Sequence, residues 1–416
     1  MPQINDALLS KVRNRFAQVT HCPVQGERVF FENAGGALTL NSVVETSARY
    51  AAIPDNQGRD NPGSHELVRV IQKAREDMAI MMNAPSGQFF VGESGTELLF
   101  RLIMNACMET GDGVVLGSTV EHPATRSACD RWARFSGKTH VLIPHDDATG
   151  TIEPAAYADA VSPETRVATI LHTSPVTGMG VDVAGCAAAI RAVAPGCFII
   201  VDGIQHAAHG RIDIASYDID GYVISPYKAF SRHGYGLAWI SDRLSALPHD
   251  SLLDGPKDNW EMGTRDTGSY ATLSDVAQYL EWLGSQVTGT DDRRARIVAA
   301  GEAIHAHEKS LTDAMINGTG NLPGLRDLEN VTILGGADNP AREGLVSLAI
   351  KDVPSADIVR RLNENGIRTH LRKADHYSGN ILTPLGMESC VRVSMCHYNS
   401  LEEVSRFLAV IKEIHG

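Results

Sequence analysis

Short, continuous hydrophobic runs alternate with longer segments of helical periodicity along the first 240 residues of the chain. The runs lie at 89–92, 113–117, 140–144, 167–172, 197–202, 221–225 and 235–241. Such a run is typical of a strand buried on both faces, and the helical segments between the runs would cover the two faces of a parallel sheet. The pattern therefore predicts an α/β domain built on a mainly parallel sheet.

The second part of the chain has a different pattern. Residues 271–316 have the periodicity of two long helices, and the region 317–342 is rich in Gly and Asn, as linkers often are. Strand-like and helical segments then alternate again, which predicts a second, smaller α/β domain. We divide the chain into an N-terminal helical segment at 1–28, a large domain at 29–290 and a small C-terminal domain at 291–416.

The N-terminal part contains three predicted helices and one predicted loop. Apolar residues recur at helical spacing in 5–19, 40–53 and 67–83. The intervening segment 55–66, DNQGRDNPGSHE, is polar and rich in Gly and Pro. It fits neither periodicity, so we predict a loop there.

Composition, net charge and cysteine spacing argue against several classes of function. The chain has 416 residues, 43% hydrophobic and 21% charged, as in a globular protein. Its net charge of −13 argues against nucleic acid or an anionic membrane as a partner. The N-terminus lacks the apolar core of a signal peptide and no run is long enough to span a bilayer, so we expect a cytoplasmic protein. The seven cysteines have no CxxC spacing, which predicts reduced thiols and no metal site.

Two polar residues at the ends of predicted strands indicate a chemistry. Asp202 ends the run 197–202, and Lys228 follows the run 221–225, 26 residues after Asp202. Both side chains would enter the same crevice at the carboxyl edge of a parallel sheet. This arrangement suits pyridoxal 5′-phosphate, because the lysine can form a Schiff base with the cofactor and the aspartate can keep the pyridine nitrogen protonated.

The segment 201–236, VDGIQHAAHGRIDIASYDIDGYVISPYKAFSRHGYG, closely resembles the class V aminotransferase and cysteine desulfurase group of fold-type I pyridoxal phosphate-dependent enzymes. The resemblance implies a large domain with a mainly parallel seven-stranded sheet and a smaller C-terminal α/β domain. It also implies a small amino-acid substrate and a homodimer whose active sites are shared across the interface.

The resemblance assigns further cofactor contacts. Gln205 is implied to hydrogen-bond the phenolic oxygen of the cofactor, and Ser225 and Tyr227 are implied to bind its phosphate, with tyrosine in place of the family's histidine. GESGTE places small residues just before a predicted helix, whose backbone N–H groups can hold an anion. Gly95 and Thr96 are therefore the expected phosphate cup.

Other motifs imply the remaining site residues. His122 in EHPAT matches the family histidine that stacks on the pyridine ring and can move a proton. Arg392 in VRVSMCHYNS matches the arginine that forks onto the substrate α-carboxylate. Asn33 in FFENAGGALT matches a segment beside the active site and is assigned to substrate binding. Gly263 and Thr264 match the pair that reaches the phosphate of the partner subunit.

One departure from the family concerns the reaction. Desulfurases carry a nucleophilic cysteine upstream of the carboxylate arginine, but the segment 368–388 contains none, and the corresponding place falls on His376 and Tyr377. Cys390 and Cys396 are expected to be packing residues. His376 and Tyr377 are candidate general acids, or else belong to a solvated lid.

Two departures concern the cofactor surroundings. Pro175 replaces an asparagine that donates to the phenolic oxygen in the family. Arg232 and His233 replace part of a glycine-rich turn, and they either read an extra acidic group on the substrate or are exposed without a role.

These residues favour a lyase that forms a carbanion at Cα and eliminates a β-substituent, of C–S lyase type, without a protein persulfide. His122 supports this choice, because many aminotransferases of the family have an aromatic residue there. The alternatives are an aminotransferase that passes the amino group to a 2-oxo acid, an epimerase, and a cofactor-binding protein without turnover.

Overall fold

A computed structural model of the chain describes residues 4–415; residues 1–3 of the predicted N-terminal segment and residue 416 of the predicted small domain lie outside it. The α-helices are α1 (Asp6–Arg13), α2 (Asn41–Ala51), α3 (Pro62–Met82), α4 (Gly95–Met108), α5 (Pro123–Phe135), α6 (Pro154–Ala160), α7 (Val183–Val193), α8 (Ile214–Tyr217), α9 (Asp242–Ser245), α10 (Thr267–Val287), α11 (Arg293–Asn317), α12 (Ser355–Glu364), α13 (Gly379–Leu382) and α14 (Leu401–His415). Among the described residues, no helix has the length and apolar character needed to cross a membrane.

The strands are β1 (His21–Cys22), β2 (Gly26–Glu27), β3 (Val29–Phe30), β4 (Gln88–Gly92), β5 (Val114–Ser118), β6 (Thr139–Ile143), β7 (Thr165–Leu171), β8 (Phe198–Asp202), β9 (Gly221–Ile224), β10 (Gly236–Ile240), β11 (Gly318–Thr319), β12 (Leu322–Pro323), β13 (Val331–Ile333), β14 (Leu345–Ile350), β15 (Ile367–Arg368), β16 (His370–Lys373) and β17 (Ser389–Ser394). Seven of them form one sheet in the order β4-β10-β9-β8-β7-β5-β6. Strands β9, β8, β7, β5 and β6 pair in parallel, and β10 runs antiparallel to both of its neighbours. This confirms the predicted α/β class and the mainly parallel sheet.

Strand β8 shows why continuous apolar runs form this sheet. Phe198 and Ile200 pack into the hydrophobic cluster on one face, and Ile199 and Val201 pack into the cluster on the other face. Both faces are covered by helices, so each residue of the strand is buried. Asp202 is the polar exception, at the carboxyl end of the strand.

A second sheet forms the C-terminal part of the molecule. Strands β13, β14, β17 and β16 pair in that order, all antiparallel. One face of this sheet packs against α11, α12 and α14 in a separate hydrophobic cluster. The strand β17 carries Arg392. The domain boundaries at residues 28/29 and 290/291 stay predictions.

Two helices differ from their prediction. Helix α1 ends at Arg13 rather than at residue 19, because the chain then turns through Gln18, whose φ of 58° is left-handed, and buries Phe16 in the core. Helix α3 begins at Pro62, inside the predicted loop. Asn61 caps it with a side-chain hydrogen bond, and proline suits the first helical position.

Candidate active site

Lys228 lies in a short 3-10 turn that directly follows β9. Its Nζ donates a hydrogen bond to Oε1 of Gln205 at 3.3 Å. Burial lowers the pKa of Lys228 to about 7, and the cationic groups of Arg392 and Arg372 add to this effect, whereas Asp202 opposes it. A large fraction of the amine is therefore neutral at neutral pH, as a nucleophilic lysine requires.

Asp202 lies at the carboxyl edge of the sheet and is 2% exposed. It accepts hydrogen bonds from the Ile204 N–H and the Thr125 hydroxyl, both at 3.1 Å. Burial raises the pKa of this carboxyl, which these donors only partly offset. A cationic partner would favour the ionised form. Sequence reasoning missed Thr125, which is 77 residues away along the chain.

His122 is the N-cap residue of α5. Its Nδ1 accepts a hydrogen bond from the Ala124 N–H at 3.2 Å, so the proton of the neutral ring lies on Nε2. Burial lowers the pKa of His122 to about 3, and Lys228 and Arg372 lower it further. The ring is therefore neutral, which suits both stacking and proton transfer.

A cavity joins these side chains. Its lining contains residues that the sequence analysis singled out, namely Thr96, His122, Pro175, Asp202, Gln205, Ser225, Tyr227 and Lys228. It also contains Leu171 and Ile204, which the sequence analysis did not single out. Gly95 lies behind the lining, and a Cβ there would be 2.5 Å from the Ser225 hydroxyl oxygen, so only glycine lets α4 approach this closely. The Glu97 N–H at the start of α4 is capped by the Ser94 hydroxyl oxygen at 3.1 Å, whereas the N–H groups of Gly95 and Thr96 have no partner within the helix, as an anion site requires.

Arg392 is 2% exposed and donates from Nη1 to the Pro175 carbonyl at 3.0 Å. Burial lowers its pKa to about 9, as does Arg372. In the register of β16 and β17, His370 lies opposite Arg392 and Arg372 opposite Cys390, so both arginines are on one face of the sheet. Nε of each is buried without a partner among the described residues. Arg372 is a site residue that the sequence analysis did not single out.

Asn33 is buried, and its amide serves the structure. Its Nδ2 donates to the Ser394 carbonyl at 2.8 Å, and its Oδ1 accepts from the Tyr398 hydroxyl. The side chain does not line the cavity. Its role in substrate binding stays a prediction, and the neighbouring Gly35, where a Cβ would lie 3.7 Å from Nη2 of Arg392, comes nearer to the carboxylate site.

His376 and Tyr377 lie on the exposed segment between β16 and α13, and Tyr377 is 46% exposed. The ring centre of Tyr377 is 6.1 Å from that of His122 and 4.1 Å from that of His376. The segment therefore brings a phenol to the edge of the cavity, where the family's desulfurases have a thiol.

The two nearby thiols are buried. Cys390 is 0% exposed and Cys396 is 1% exposed. Burial raises the pKa of Cys390 to about 11 and raises that of Cys396 well above its usual range. Neither thiol is ionised or accessible at neutral pH, as a persulfide-forming nucleophile must be.

Gly263 and Thr264 are not brought into the cavity. Gly263 has a φ of 75°, and the segment lies against residues 55–57, with Gln57 donating to the Arg265 carbonyl at 3.3 Å. Their predicted contact with a partner's phosphate stays a prediction.

The two residues that replace the glycine-rich turn have partners of their own. Arg232 pairs with the carboxylate of Asp266. His233 stacks on Tyr227 with ring centres 4.2 Å apart. The Arg232 charge is thus already balanced.

The residues fit pyridoxal 5′-phosphate. They provide a lysine of lowered pKa, a buried carboxyl that forms no ion pair with any described residue, and a neutral ring. Hydroxyl groups and a helix N-terminus lie at the end where a phosphate would bind.

Comparisons with known proteins identify the family and the fold. A family model described as "Aminotransferase class-V" matches residues 29–407. The "Cysteine desulfurase-like protein ustD" of Aspergillus flavus is 27% identical over 95% of this chain and 89% of its own length. The "Aminotransferase-like protein FGM3" of Gibberella zeae is 24% identical over 98% of each chain. The solved structure of a cysteine desulfurase from Thermococcus onnurineus matches with a TM-score of 0.82 at 21% identity over 97% of each chain.

Proposed function

The chain belongs to the class-V aminotransferase family and is a pyridoxal phosphate-dependent enzyme, and from this premise we propose that it is a lyase. It would break a Cβ–X bond of a small amino acid by elimination, with C–S as the favoured bond, and would form no persulfide. The proposal is carried by the residues found at the edge of the cavity. The ring centre of Tyr377 lies 6.1 Å from that of His122, and the thiols of Cys390 and Cys396 are both buried.

Each residue has a defined part in this proposal. When bound, the cofactor supplies an electron sink for the carbanion at Cα. Arg392 binds the α-carboxylate, and Asp202 provides the negative charge beside the pyridine nitrogen. Lys228 receives the proton from Cα, because its amine is neutral near pH 7. Tyr377 donates a proton to the leaving group at Cβ.

The products follow from the balance of atoms. The amino acid and one water give a 2-oxo acid, ammonia and the protonated leaving group. Release of pyruvate and ammonia from a panel of β-substituted alanines, without a 2-oxo acid acceptor, would support the lyase. Accumulation of the pyridoxamine form would instead support an aminotransferase. The similarity to the "Aminotransferase-like protein FGM3" favours this alternative. Loss of optical activity without other products would support an epimerase. Binding of pyridoxal phosphate without any turnover would support a cofactor-binding protein that is not an enzyme.

The proposed enzyme is a cytoplasmic homodimer with shared sites. Leu252 and Leu253 are 68% and 94% exposed on the segment that leads to Gly263 and Thr264. A partner subunit that covers this segment would bury both leucines. The location is supported by seven cysteines that are unpaired in the structure.

A further inference from the structure

A buried histidine–glutamate pair lies directly behind Gln205. Nε2 of His209 is 3.2 Å from Nε2 of Gln205, and Nδ1 of His209 is 2.8 Å from Oε2 of Glu308. His209 is 2% exposed and Glu308 is 1% exposed. The histidine follows β8, whereas Glu308 comes from α11, so the pair joins the cofactor-binding turn to a distant helix.

Hydrogen-bonding chemistry makes this contact directional. An amide nitrogen only donates, so Nε2 of a neutral His209 must accept from Gln205, and its proton lies on Nδ1 and is donated to Glu308. With Nε2 of Gln205 used in this way, Oε1 faces Lys228, from which it accepts at 3.3 Å. Burial opposes protonation of His209, but Glu308 outweighs burial and raises the pKa of the ring. The neutral form is assigned from geometry, because Nε2 of Gln205 faces the ring and Oε1 of Gln205 faces Lys228. A second proton would make Nε2 of His209 a donor and would reverse the amide.

We propose that His209, held by Glu308, is a positioning residue for the reaction, because it makes Oε1 of Gln205, and not Nε2, face the nitrogen of Lys228. An acceptor at this place stabilises a proton on that nitrogen, whereas an amide N–H₂ would disfavour it. The inference rests on the proposed function, in which Gln205 and Lys228 form the cofactor site.

A metal site does not explain the same cluster. Cys396 has its sulfur within 4.8 Å of ligand atoms of His209 and Glu308. However, the pKa of this thiol is raised well above its usual range by burial, and both ring nitrogens of His209 already have partners. A metal ligand needs an ionised thiol and a free ring nitrogen.

The fold contains a matched control. His206, three residues before His209, bonds through Nδ1 to Oε1 of Glu343 at 2.8 Å, and this pair is also buried. It is the same type of histidine–carboxylate pair, although Glu343 lies just before β14 and not in α11. Among the described residues, the His206 ring bonds the Thr173 hydroxyl and the Arg211 carbonyl and makes no hydrogen bond to the Gln205 side chain. If such pairs only stabilise the fold, both should behave alike.

The test compares two double variants in which no buried charge is left unpaired. These are His209→Leu with Glu308→Gln, and His206→Leu with Glu343→Gln. A third variant, His209→Gln, restores an acceptor oxygen near the place of Nε2. The readout is the pH midpoint of the visible absorption change of bound pyridoxal phosphate, which reports the proton on the Lys228 nitrogen and needs no turnover.

We expect the His209 double variant to lower this midpoint by about one pH unit, the size of one lost hydrogen bond to a charged group. His209→Gln should restore most of it, and the His206 double variant should change it little. The charged groups around Lys228, namely Asp202, Arg372 and Arg392, stay unchanged. Around His209, Glu308 is replaced, and Glu343 and Lys228 are retained.

An unchanged midpoint, an upward shift, or an equal shift in the control pair would overturn the inference. A second measurement gives the pKa of Lys228 without cofactor, from the pH dependence of its modification by an amine-selective reagent, read by mass spectrometry. This arm decides the inference even if wild-type protein takes up no pyridoxal phosphate, an outcome that would refute the proposed function alone.

Discussion

Replacing Asp202 with asparagine separates the charge of this side chain from its shape. The amide can keep both observed hydrogen bonds, because its oxygen accepts from the Ile204 N–H and its nitrogen donates to the Thr125 hydroxyl, which can rotate. The buried charge disappears, however. We therefore expect opposite effects on stability and on turnover.

Stability of the cofactor-free protein should rise at neutral pH. Burial raises the pKa of Asp202 in the folded state, so the folded protein binds this proton more tightly than the unfolded chain does. Stability is then lost as the pH rises from about 4, the unfolded value, through the raised folded pKa. Asp202→Asn should escape this loss, so its Tm should exceed that of wild type increasingly across this window.

Turnover should fall on the order of 10³-fold, which corresponds to about 4 kcal/mol of barrier. The structure gives the reason: Asp202 is the buried carboxyl that lines the cavity at the sheet edge, and a neutral amide cannot hold a proton on the pyridine nitrogen. Binding of pyridoxal phosphate should persist, because Lys228 and the phosphate end are unchanged.

Thermal melts from pH 4 to 8, a cofactor titration and steady-state rates together test this prediction. Asp202→Glu is the matched control, since it keeps the charge but moves it. Near wild-type turnover in Asp202→Asn would show that the ring nitrogen needs no anionic partner. A lower Tm of this variant at neutral pH would show that the ionised carboxylate of Asp202 does not destabilise the cofactor-free fold.

Four further predictions follow from the site. Lys228→Ala should remove the borohydride-sensitive visible band, and a coloured variant whose cofactor is still trapped by borohydride would contradict the assignment. Uptake of pyridoxal phosphate by the cofactor-free protein should speed up about tenfold per pH unit below 7 and level off above it, because only the neutral amine of Lys228 reacts; a rate independent of pH would refute this. Mixed dimers of Lys228→Ala and Thr264→Ala chains should regain about one working site per dimer, and inactive mixed dimers would place each site within one chain. Changing Cys390 and Cys396 to serine should leave activity intact, with no persulfide detected by mass spectrometry after incubation with cysteine, whereas Tyr377→Phe should lower turnover; a persulfide on either cysteine would return the protein to the desulfurases.

The sequence could predict the sheet and its polar edge because both are local. A continuous apolar run that ends in Asp202, and another followed by Lys228, fix strands and their carboxyl ends without reference to the rest of the chain. In the structure, β8 and β9 pair in parallel, with Asp202 opposite Val223. The two functional groups therefore lie at one edge.

Contacts between distant segments could not be predicted in this way. Thr125 bonds Asp202 across 77 residues, and Glu308 bonds His209 across 99 residues. Neither threonine nor glutamate has a distinctive local pattern in these helices. HAHE at 305–308 lies within α11, and the last residue of this motif, Glu308, is buried and meets His209. Such pairs depend on helix packing, which the period of a single segment does not specify.

Whether a cysteine of this chain can act as a nucleophile depends on both the sequence and the structure. The sequence shows that the segment before Arg392 has no cysteine, but it does not exclude Cys390, which shares a sheet face with Arg392. The structure supplies the missing step, because Cys390 is 0% exposed and burial raises its pKa to about 11, although Arg372 and Arg392 both favour its ionisation. Two cations near the thiol do not overcome its desolvation. Proximity on a strand therefore does not make this cysteine a nucleophile, and the phenol of Tyr377 is the group that reaches the cavity edge.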